Sequence, residues 1–159
     1  MTFVAEAQDA PSLADWFERY GLYDLIPLIK EGTDTQAWFA TAPGQELFLK
    51  LYPAAFRAQA ETEAAIAGEN LHSAIVPLRQ KVSCREGTLL LYNRVPGENL
   101  GPMAARSRFQ RLPLSERIAA VRAVLECLAA VSDAGFVAVD WYEGNMLYDF
   151  AGKQLWLFD

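Results

Sequence analysis

The stretch that decides the fold is VAVDWYEGNMLYDFAGKQLWLFD, residues 137–159. It holds a carboxylate at Asp140, a carboxamide five positions later at Asn145, a short hairpin and a further carboxylate at Asp159. The apolar QLWLF before Asp159 predicts a buried strand, so this strand brings a charged group to a fixed position. That arrangement indicates a functional site. The alternatives are ordinary turn chemistry for Asp140 and Asn145, and a simple loop start for Asp159.

The composition argues against several classes of protein. The 159 residues are 52% apolar and 21% charged, which is typical of a globular domain with a core. No apolar run approaches the roughly 20 residues of a membrane-spanning helix, and the N-terminus lacks the pattern of a secretory signal. The net charge of −6 argues against a nucleic-acid or anionic-membrane partner. We therefore expect a cytoplasmic protein.

The cysteine and histidine content limits the kinds of metal site and catalysis that are possible. Cys84 and Cys127 lie far apart with no CxxC motif, and His72 is the single histidine of the sequence. This content argues against a zinc site and against a histidine-based catalytic triad. Both cysteines are interpreted as small buried apolar residues in a reducing compartment. Any catalysis must then come from carboxylates, amides and lysines.

The order of apolar patterns predicts an α+β half, a hinge and a helical half. Residues 1–22 form an N-terminal helical extension, with Ser12 as the helix N-cap. Residues 23–92 contain three antiparallel strands, a helix opened by a proline and two further strands. Residues 93–102, rich in glycine and proline, form the hinge. Residues 103–159 contain a long helix, the loop around Asp140 and a hairpin.

The long helix is predicted to begin after Ser115 as its N-cap and to end at Gly135. Its apolar residues cover most of its circumference, which predicts burial on nearly all sides. These residues are Ile118, Ala120, Val121, Val124, Leu125, Cys127, Leu128 and Val131.

Lys50 stands in the segment ELFLKLYP, whose alternation puts Leu47, Leu49 and Leu51 on one face and Lys50 on the other. Two interpretations are open. Lys50 is either an edge-strand lysine that discourages aggregation, or a lysine with apolar neighbours on both faces that requires a buried anion.

The helix after Lys50 offers two carboxylates, Glu61 and Glu63. Glu61 lies one turn after Arg57 and is expected to form a surface pair with it. Glu63 shares its stripe with Ala60 and other apolar residues that must pack on the sheet. A carboxylate there is costly unless a cation meets it. Glu63 is therefore the predicted partner of Lys50.

Five segments between about Tyr23 and Asp159 resemble, in the right order, those of the protein-kinase-like superfamily. The similarity is closest to its aminoglycoside phosphotransferase and small bacterial serine/threonine kinase branches. LFLKLYP resembles the strand with the phosphate-binding lysine, here Lys50, and TEAAIAGEN the helix whose glutamate orients it, here Glu63. LLLYNRVPGENL resembles the strand and hinge that receive adenine, with Tyr92, Asn93, Arg94 and Val95 along them.

The other two segments resemble the catalytic loop and the metal-binding strand. AGFVAVDWYEGN matches the D-x-x-x-x-N spacing at Asp140 and Asn145, and LWLFD matches the strand that leads into the metal-binding aspartate, Asp159. The resemblance implies an α+β, protein-kinase-like two-lobed fold. It consists of a five-stranded antiparallel N-lobe with one helix, a hinge, and a partial helical C-lobe.

The resemblance also implies a phosphotransferase that uses ATP and Mg²⁺. Lys50, held by Glu63, would bind the α- and β-phosphates, and Asn145 and Asp159 would bind Mg²⁺. Asp140 would orient or deprotonate the attacking hydroxyl of a protein or small-molecule acceptor. The phosphate loop is expected to use Gly32, Thr33 and Thr35.

Departures from the pattern support two alternatives. The phosphate loop has a single glycine, and Tyr142 stands where a Lys or His commonly assists the γ-phosphate. Both features favour a pseudokinase, a module that binds nucleotide or a partner without turnover. The third interpretation is a structural interaction domain in which Lys50 and Glu63 form only a buried ion pair.

The sequence also stops where these families continue into several more helices. We therefore expect a truncated gene product, or one that borrows structure from a partner. A homodimer or a complementing chain is expected, because the long helix and the LWLF strand would otherwise expose apolar surface.

Overall fold

The computed structural model describes residues 10–28, 34–137 and 142–158. These residues divide into two compact units. The first contains the described residues up to Gly68 together with Leu78–Arg94, and the second contains Glu69–Pro77 together with the described residues from Val95 onward.

The first unit is an antiparallel sheet with two helices. Its strands are β1 (Tyr23–Leu28), β2 (Gln36–Ala42), β3 (Gln45–Pro53), β4 (Leu78–Cys84) and β5 (Gly87–Asn93), and its helices are α1 (Leu13–Arg19) and α2 (Arg57–Gly68), the latter preceded by a 3₁₀ turn at Ala54–Phe56. The strand order is β1-β2-β3-β5-β4, with every neighbouring pair antiparallel. This sheet confirms the predicted α+β class and its five strands.

Helix α1 begins with the predicted cap. The Asp15 peptide N–H donates to Ser12 Oγ at 3.1 Å, and the Ser12 peptide N–H donates to the Asp15 carboxylate at 3.2 Å, which completes a capping box. The helix buries Trp16 in the same core cluster as Leu49 and Leu91 of the sheet. Apolar burial therefore joins α1 to the first unit.

Strand β3 lies in the middle of the sheet, between β2 and β5. Lys50 is opposite Ala37 on one side and Leu90 on the other. The edge-strand interpretation of Lys50 is therefore wrong, because the edge strands of this sheet are β1 and β4 and Lys50 lies on β3. Leu47, Leu49 and Leu51 point into the apolar core, as the alternation predicts.

Helix α2 packs on the sheet through its alanines. Ala60, Ala64 and Ala67 are buried, Glu63 is partly buried, and Glu61 is exposed. Glu61 pairs with Arg57 at 4.0 Å and also with Lys81. Helical spacing thus correctly predicted that Glu61 lies on the surface and that Glu63 lies on the side of α2 that packs on the sheet.

The second unit combines two helices with a small sheet. It contains β6 (Glu98–Asn99), α3 (Met103–Gln110), α4 (Leu114–Asp133), a 3₁₀ turn (Glu143–Asn145), β7 (Met146–Asp149) and β8 (Gln154–Leu157). The strand order is β6-β7-β8. Residues 74–76 run beside β8, where the Leu157 peptide N–H donates to the Ala74 carbonyl at 2.7 Å.

Helix α4 differs from its prediction in two respects. It begins at Leu114 after Pro113, so Ser115 is inside the first turn and is not the N-cap. The reason is that Pro113 is itself the N-cap, and its carbonyl already accepts from the peptide N–H groups of Glu116 and Arg117. The predicted end is confirmed, since Gly135 follows the C-cap with φ +84°.

The burial predicted for α4 is also wrong in the described structure. Ala120, Cys127 and Val131 are buried, and the helix contacts β8. The opposite face is solvent-exposed by 49–64% at Leu114, Ile118, Val121 and Leu125. The helix therefore packs through one side of its circumference, and these four apolar residues lie on the other.

None of the helices in the described part of the chain is long and apolar enough to cross a membrane.

Candidate functional site

Lys50 and Glu63 form a shielded ion pair in the first unit. Lys50 Nζ lies 2.7 Å from Glu63 Oε2, and the two side chains are only 8% and 14% exposed. Strand β3 places the lysine at the centre of the sheet, and α2 places the carboxylate above it. Because isolated buried charges are strongly disfavoured, each charge makes the burial of the other tolerable. The predicted pairing is confirmed.

Two tyrosines also donate hydrogen bonds to Glu63. The Tyr92 hydroxyl donates to Oε1 at 2.6 Å, and the Tyr52 hydroxyl donates to Oε2, the oxygen that also accepts from Lys50. Lys50 Nζ lies 4.7 Å from the centroid of the Tyr52 ring, which adds a cation–π contact. One carboxylate is thus bound by an ammonium group and two phenol groups.

Sequence reasoning missed this role of Tyr52. The signal was present, because Tyr52 follows Lys50 by two positions in a strand and so shares its face. Tyr92 was expected only near the adenine site. Its approach to Glu63 depends on the register of β3 and β5, in which Phe48 lies opposite Tyr92.

The predicted adenine-binding residues lie at the end of β5 and beyond it. The Asn93 side-chain carbonyl accepts from Arg79 at 3.1 Å. The Arg94 peptide N–H donates to the Glu46 carbonyl at 3.0 Å, and its guanidinium group lies 4.5 Å from the centroid of the Phe39 ring. The boundary between the two units falls between Arg94 and Val95.

The expected phosphate loop is described only in part. Thr35 is partly buried and directly precedes β2. Gly32 and Thr33 lie outside the described residues.

Asn145 ends the 3₁₀ turn of the second unit. It is 5% exposed, its peptide N–H donates to the Tyr142 carbonyl at 2.9 Å, and its carbonyl accepts from the Phe158 peptide N–H at 3.2 Å. The turn is therefore hydrogen-bonded to Phe158, the residue that follows β8. A carboxamide oxygen is a suitable ligand for a hard cation such as Mg²⁺. Asp140 and Asp159 lie outside the described residues.

Two side chains that sequence reasoning missed hold this turn in place. Asn99 donates to the Gly144 carbonyl at 2.7 Å and accepts from the Gly101 peptide N–H at 2.7 Å. Arg106 binds the Glu143 carboxylate at 2.8 Å and donates to the Gly101 carbonyl at 2.6 Å. No local sequence signal marked them, because they come from β6 and α3, far along the chain from the turn.

Neither cysteine is suited to catalysis. Both cysteines are buried as predicted, and burial raises the pKa of the Cys127 thiol to about 11 and also raises the pKa of Cys84. Thiols of this kind are poor nucleophiles at neutral pH. Within the described ranges, no group of three or more His, Cys, Asp or Glu side chains is arranged to hold a metal.

Comparisons with known proteins identify the fold. No protein-family model matches the chain, and no curated protein matches its sequence. Among solved structures, the chain is similar to the kinase PK-1 of Cydia pomonella granulovirus, with 20% identity and a TM-score of 0.71 over 89% of this chain and 54% of that one. It is also similar to the PknI kinase domain of Mycobacterium tuberculosis, with 20% identity and a TM-score of 0.63 over 84% of this chain and 56% of that one.

A third similar structure is Rad53 1–466 in complex with AMP-PNP. The identity is 17% and the TM-score 0.67, over 86% of this chain and 38% of that one. The chain therefore has a protein-kinase-like fold of the α+β class. It spans about half the length of the PK-1 and PknI structures, and less of Rad53.

Proposed function

We propose that the chain is the nucleotide-binding part of a kinase-like phosphotransferase that transfers the γ-phosphate of ATP to a hydroxyl group of a protein or small molecule. The observation that carries this proposal is the shielded Lys50–Glu63 pair on the central strand of a protein-kinase-like fold. Phosphoryl transfer depends mainly on positioned charge, and a lysine fixed by a carboxylate supplies such a charge for the α- and β-phosphates.

The remaining residues receive their roles from the same proposal. Tyr92 and Asn93–Val95 would line the adenine site, and Gly32, Thr33 and Thr35 would contact the phosphates. Asp140 would orient or deprotonate the acceptor hydroxyl. Asn145 and Asp159 would hold Mg²⁺, whose preference for hard oxygen ligands fits one carboxamide and one carboxylate. Bound Mg²⁺ would neutralise charge on the phosphates.

The wider setting is also part of the proposal. Residues 23–92 would form the nucleotide-binding lobe behind the extension 1–22, residues 93–102 the hinge, and residues 103–159 part of the second lobe. We place the protein in the cytoplasm and nearest the aminoglycoside phosphotransferase and small bacterial kinase branches. Because the chain spans only 54% of the PK-1 structure and 56% of the PknI structure, we propose that additional polypeptide, a second copy or a complementing chain completes the acceptor site.

Lys50→Met tests nucleotide binding, with Lys81→Met as the matched control. Both lysines lie in the same sheet and pair with glutamates of α2, but Lys81 is 41% exposed and pairs with Glu61. Millimolar Mg·ATP is expected to raise the melting temperature of the wild type and of Lys81→Met, because a ligand that binds only the folded state stabilises it. Lys50→Met is expected to lose most of this rise. An equal rise in all three proteins would remove Lys50 from the site.

A pseudokinase is the second candidate, and Tyr142 is the observation that favours it. This residue is 46% exposed and stands where a cation commonly assists the γ-phosphate. Transfer of labelled γ-phosphate by the wild type and by Asp140→Asn separates the two functions. Transfer that falls by orders of magnitude in Asp140→Asn supports the enzyme, whereas nucleotide binding without transfer in the wild type supports the pseudokinase.

A further inference from the structure

Three side chains on one face of the sheet surround the Glu63 carboxylate. Lys50 and Tyr52 are two positions apart on β3 and therefore share a face. Tyr92 lies on β5 opposite Phe48, which is two positions before Lys50 and belongs to the same face. Tyr52 thus flanks the lysine along its own strand and Tyr92 flanks it diagonally on β5, at spacings that long side chains can bridge.

Both oxygens of the Glu63 carboxylate accept hydrogen bonds from these groups. Oε2 accepts from Lys50 Nζ and from Tyr52, and Oε1 accepts from Tyr92 at 2.6 Å. A carboxylate has about four lone-pair sites, so these donors fill most of its capacity. Both tyrosines are buried, Tyr52 at 7% and Tyr92 at 3% exposure. Their hydroxyls are therefore held by packing and cannot turn freely toward solvent.

We infer that Tyr52 and Tyr92 are positioning residues that fix Glu63, and through it Lys50, for nucleotide binding. This inference rests on the proposed function. If Lys50 alone held Glu63, the carboxylate would depend on an ammonium group that must also bind phosphate. Two neutral donors anchor Glu63 to the sheet independently of Lys50, so the carboxylate keeps its position, and with it the position of the lysine, when the ammonium group also contacts phosphate.

The test is a double-mutant cycle read out by the dissociation constant of Mg·ATP, measured by titration calorimetry on the full chain. Tyr52→Phe and Tyr92→Phe each remove one hydroxyl and keep the ring. Each is expected to weaken binding about threefold to tenfold, the usual effect of one hydrogen bond. Tyr20→Phe is the matched control. The Tyr20 hydroxyl accepts from Gln80 at 3.0 Å in the same unit. The dissociation constant of this variant for Mg·ATP is expected to stay within about twofold of the wild-type value.

The same substitutions are then made in a Glu63→Ala background. If the two tyrosine hydroxyls act through Glu63, they have no carboxylate to hold in this background. Removing them should then leave the dissociation constant of Glu63→Ala unchanged. If Glu63→Ala does not fold, Glu63→Gln replaces it. A neutral acceptor forms the weaker kind of hydrogen bond, so the hydroxyl effects should fall by about half.

The outcomes separate three explanations. Equal losses in the wild-type and Glu63-substituted backgrounds, or no loss in the wild-type background, would overturn the positioning role. Lower unfolding free energy of the Tyr→Phe variants with an unchanged dissociation constant would show a purely structural role. A wild type that does not bind Mg·ATP at millimolar concentration would overturn the proposed function and the positioning role together, and that result is visible before any variant is made.

Discussion

Lys50 Nζ lies 2.7 Å from Glu63 Oε2, on the central strand of a five-stranded sheet and beneath the helix that follows it. The pair is a feature of packing, since both groups are shielded from solvent, and it is the main support for the proposed nucleotide site.

Glu63→Ala should destabilise the protein much more than Glu61→Ala. The first change leaves a largely buried lysine without this carboxylate and deprives two tyrosines of an acceptor, which we expect to cost about 3 kcal/mol. The second removes the exposed pairs of Glu61 with Arg57 and Lys81 and should cost less than about 1 kcal/mol. Urea denaturation of both variants measures the difference. Similar unfolding free energies would mean that the buried pair contributes no more than the surface one.

The Lys50–Glu63 pair could be predicted from sequence because helical and strand periodicity act locally. Alternation placed Lys50 among apolar residues, and helical spacing put Glu63, but not Glu61, on the packed face. Tyr92 shows where such reasoning stops. Its contact with Glu63 depends on the register between β3 and β5. The register of two strands joined by a long connection cannot be predicted from the residue pattern of either strand alone.

Helix α4 illustrates a different limit. Its apolar residues occur on two sides, and periodicity alone does not say which side the neighbouring elements cover. The structure buries the side with Ala120, Cys127 and Val131. This side contacts β8, while Leu114, Ile118, Val121 and Leu125 remain exposed. The prediction treated all apolar positions as equivalent and so overestimated the burial.

Val131→Ala and Val121→Ala make the same chemical change on opposite sides of α4. Val131 is 2% exposed and Val121 is 55% exposed. Loss of two buried methyl groups should cost about 1–2 kcal/mol at position 131. At position 121 the cost should be near zero, or the change slightly stabilising, because alanine has the higher helix propensity. Chemical denaturation measures both. A cost above about 1 kcal/mol at position 121 would show that this face is covered in solution.

Cys127 should make stability depend on pH in the alkaline range. Burial raises the pKa of its thiol from 9.0 to about 11 in the folded state. A raised folded-state pKa contributes stability that is complete below the unfolded value of 9.0 and is lost as the pH rises through about 11. The loss over this window is on the order of 2–3 kcal/mol.

Cys127→Ala isolates this effect from the other groups that titrate there. Below pH 8 the variant should be less stable than the wild type by about 1 kcal/mol, the cost of a small cavity. Between pH 9 and pH 11 the difference should shrink and then reverse, because alanine has no proton to lose. The unfolding free energies of both proteins across this range measure it. A constant difference would mean that the thiol titrates alike in the folded and unfolded states.

Arg106→Gln should loosen the turn that carries Asn145. Arg106 links the Glu143 carboxylate to the Gly101 carbonyl, at 2.8 and 2.6 Å, so its loss should ease local opening of the turn. The Asn145 peptide N–H, which donates to Tyr142, should then exchange with solvent about tenfold faster, as expected for one lost charged hydrogen bond. Hydrogen exchange followed by NMR measures this rate. Arg108→Gln on the same helix is the control, because Arg108 pairs with exposed Glu98 at 2.5 Å and should leave the Asn145 amide unchanged. Equal acceleration by both substitutions would mean that the effect comes from α3 as a whole rather than from the Arg106–Glu143 contact.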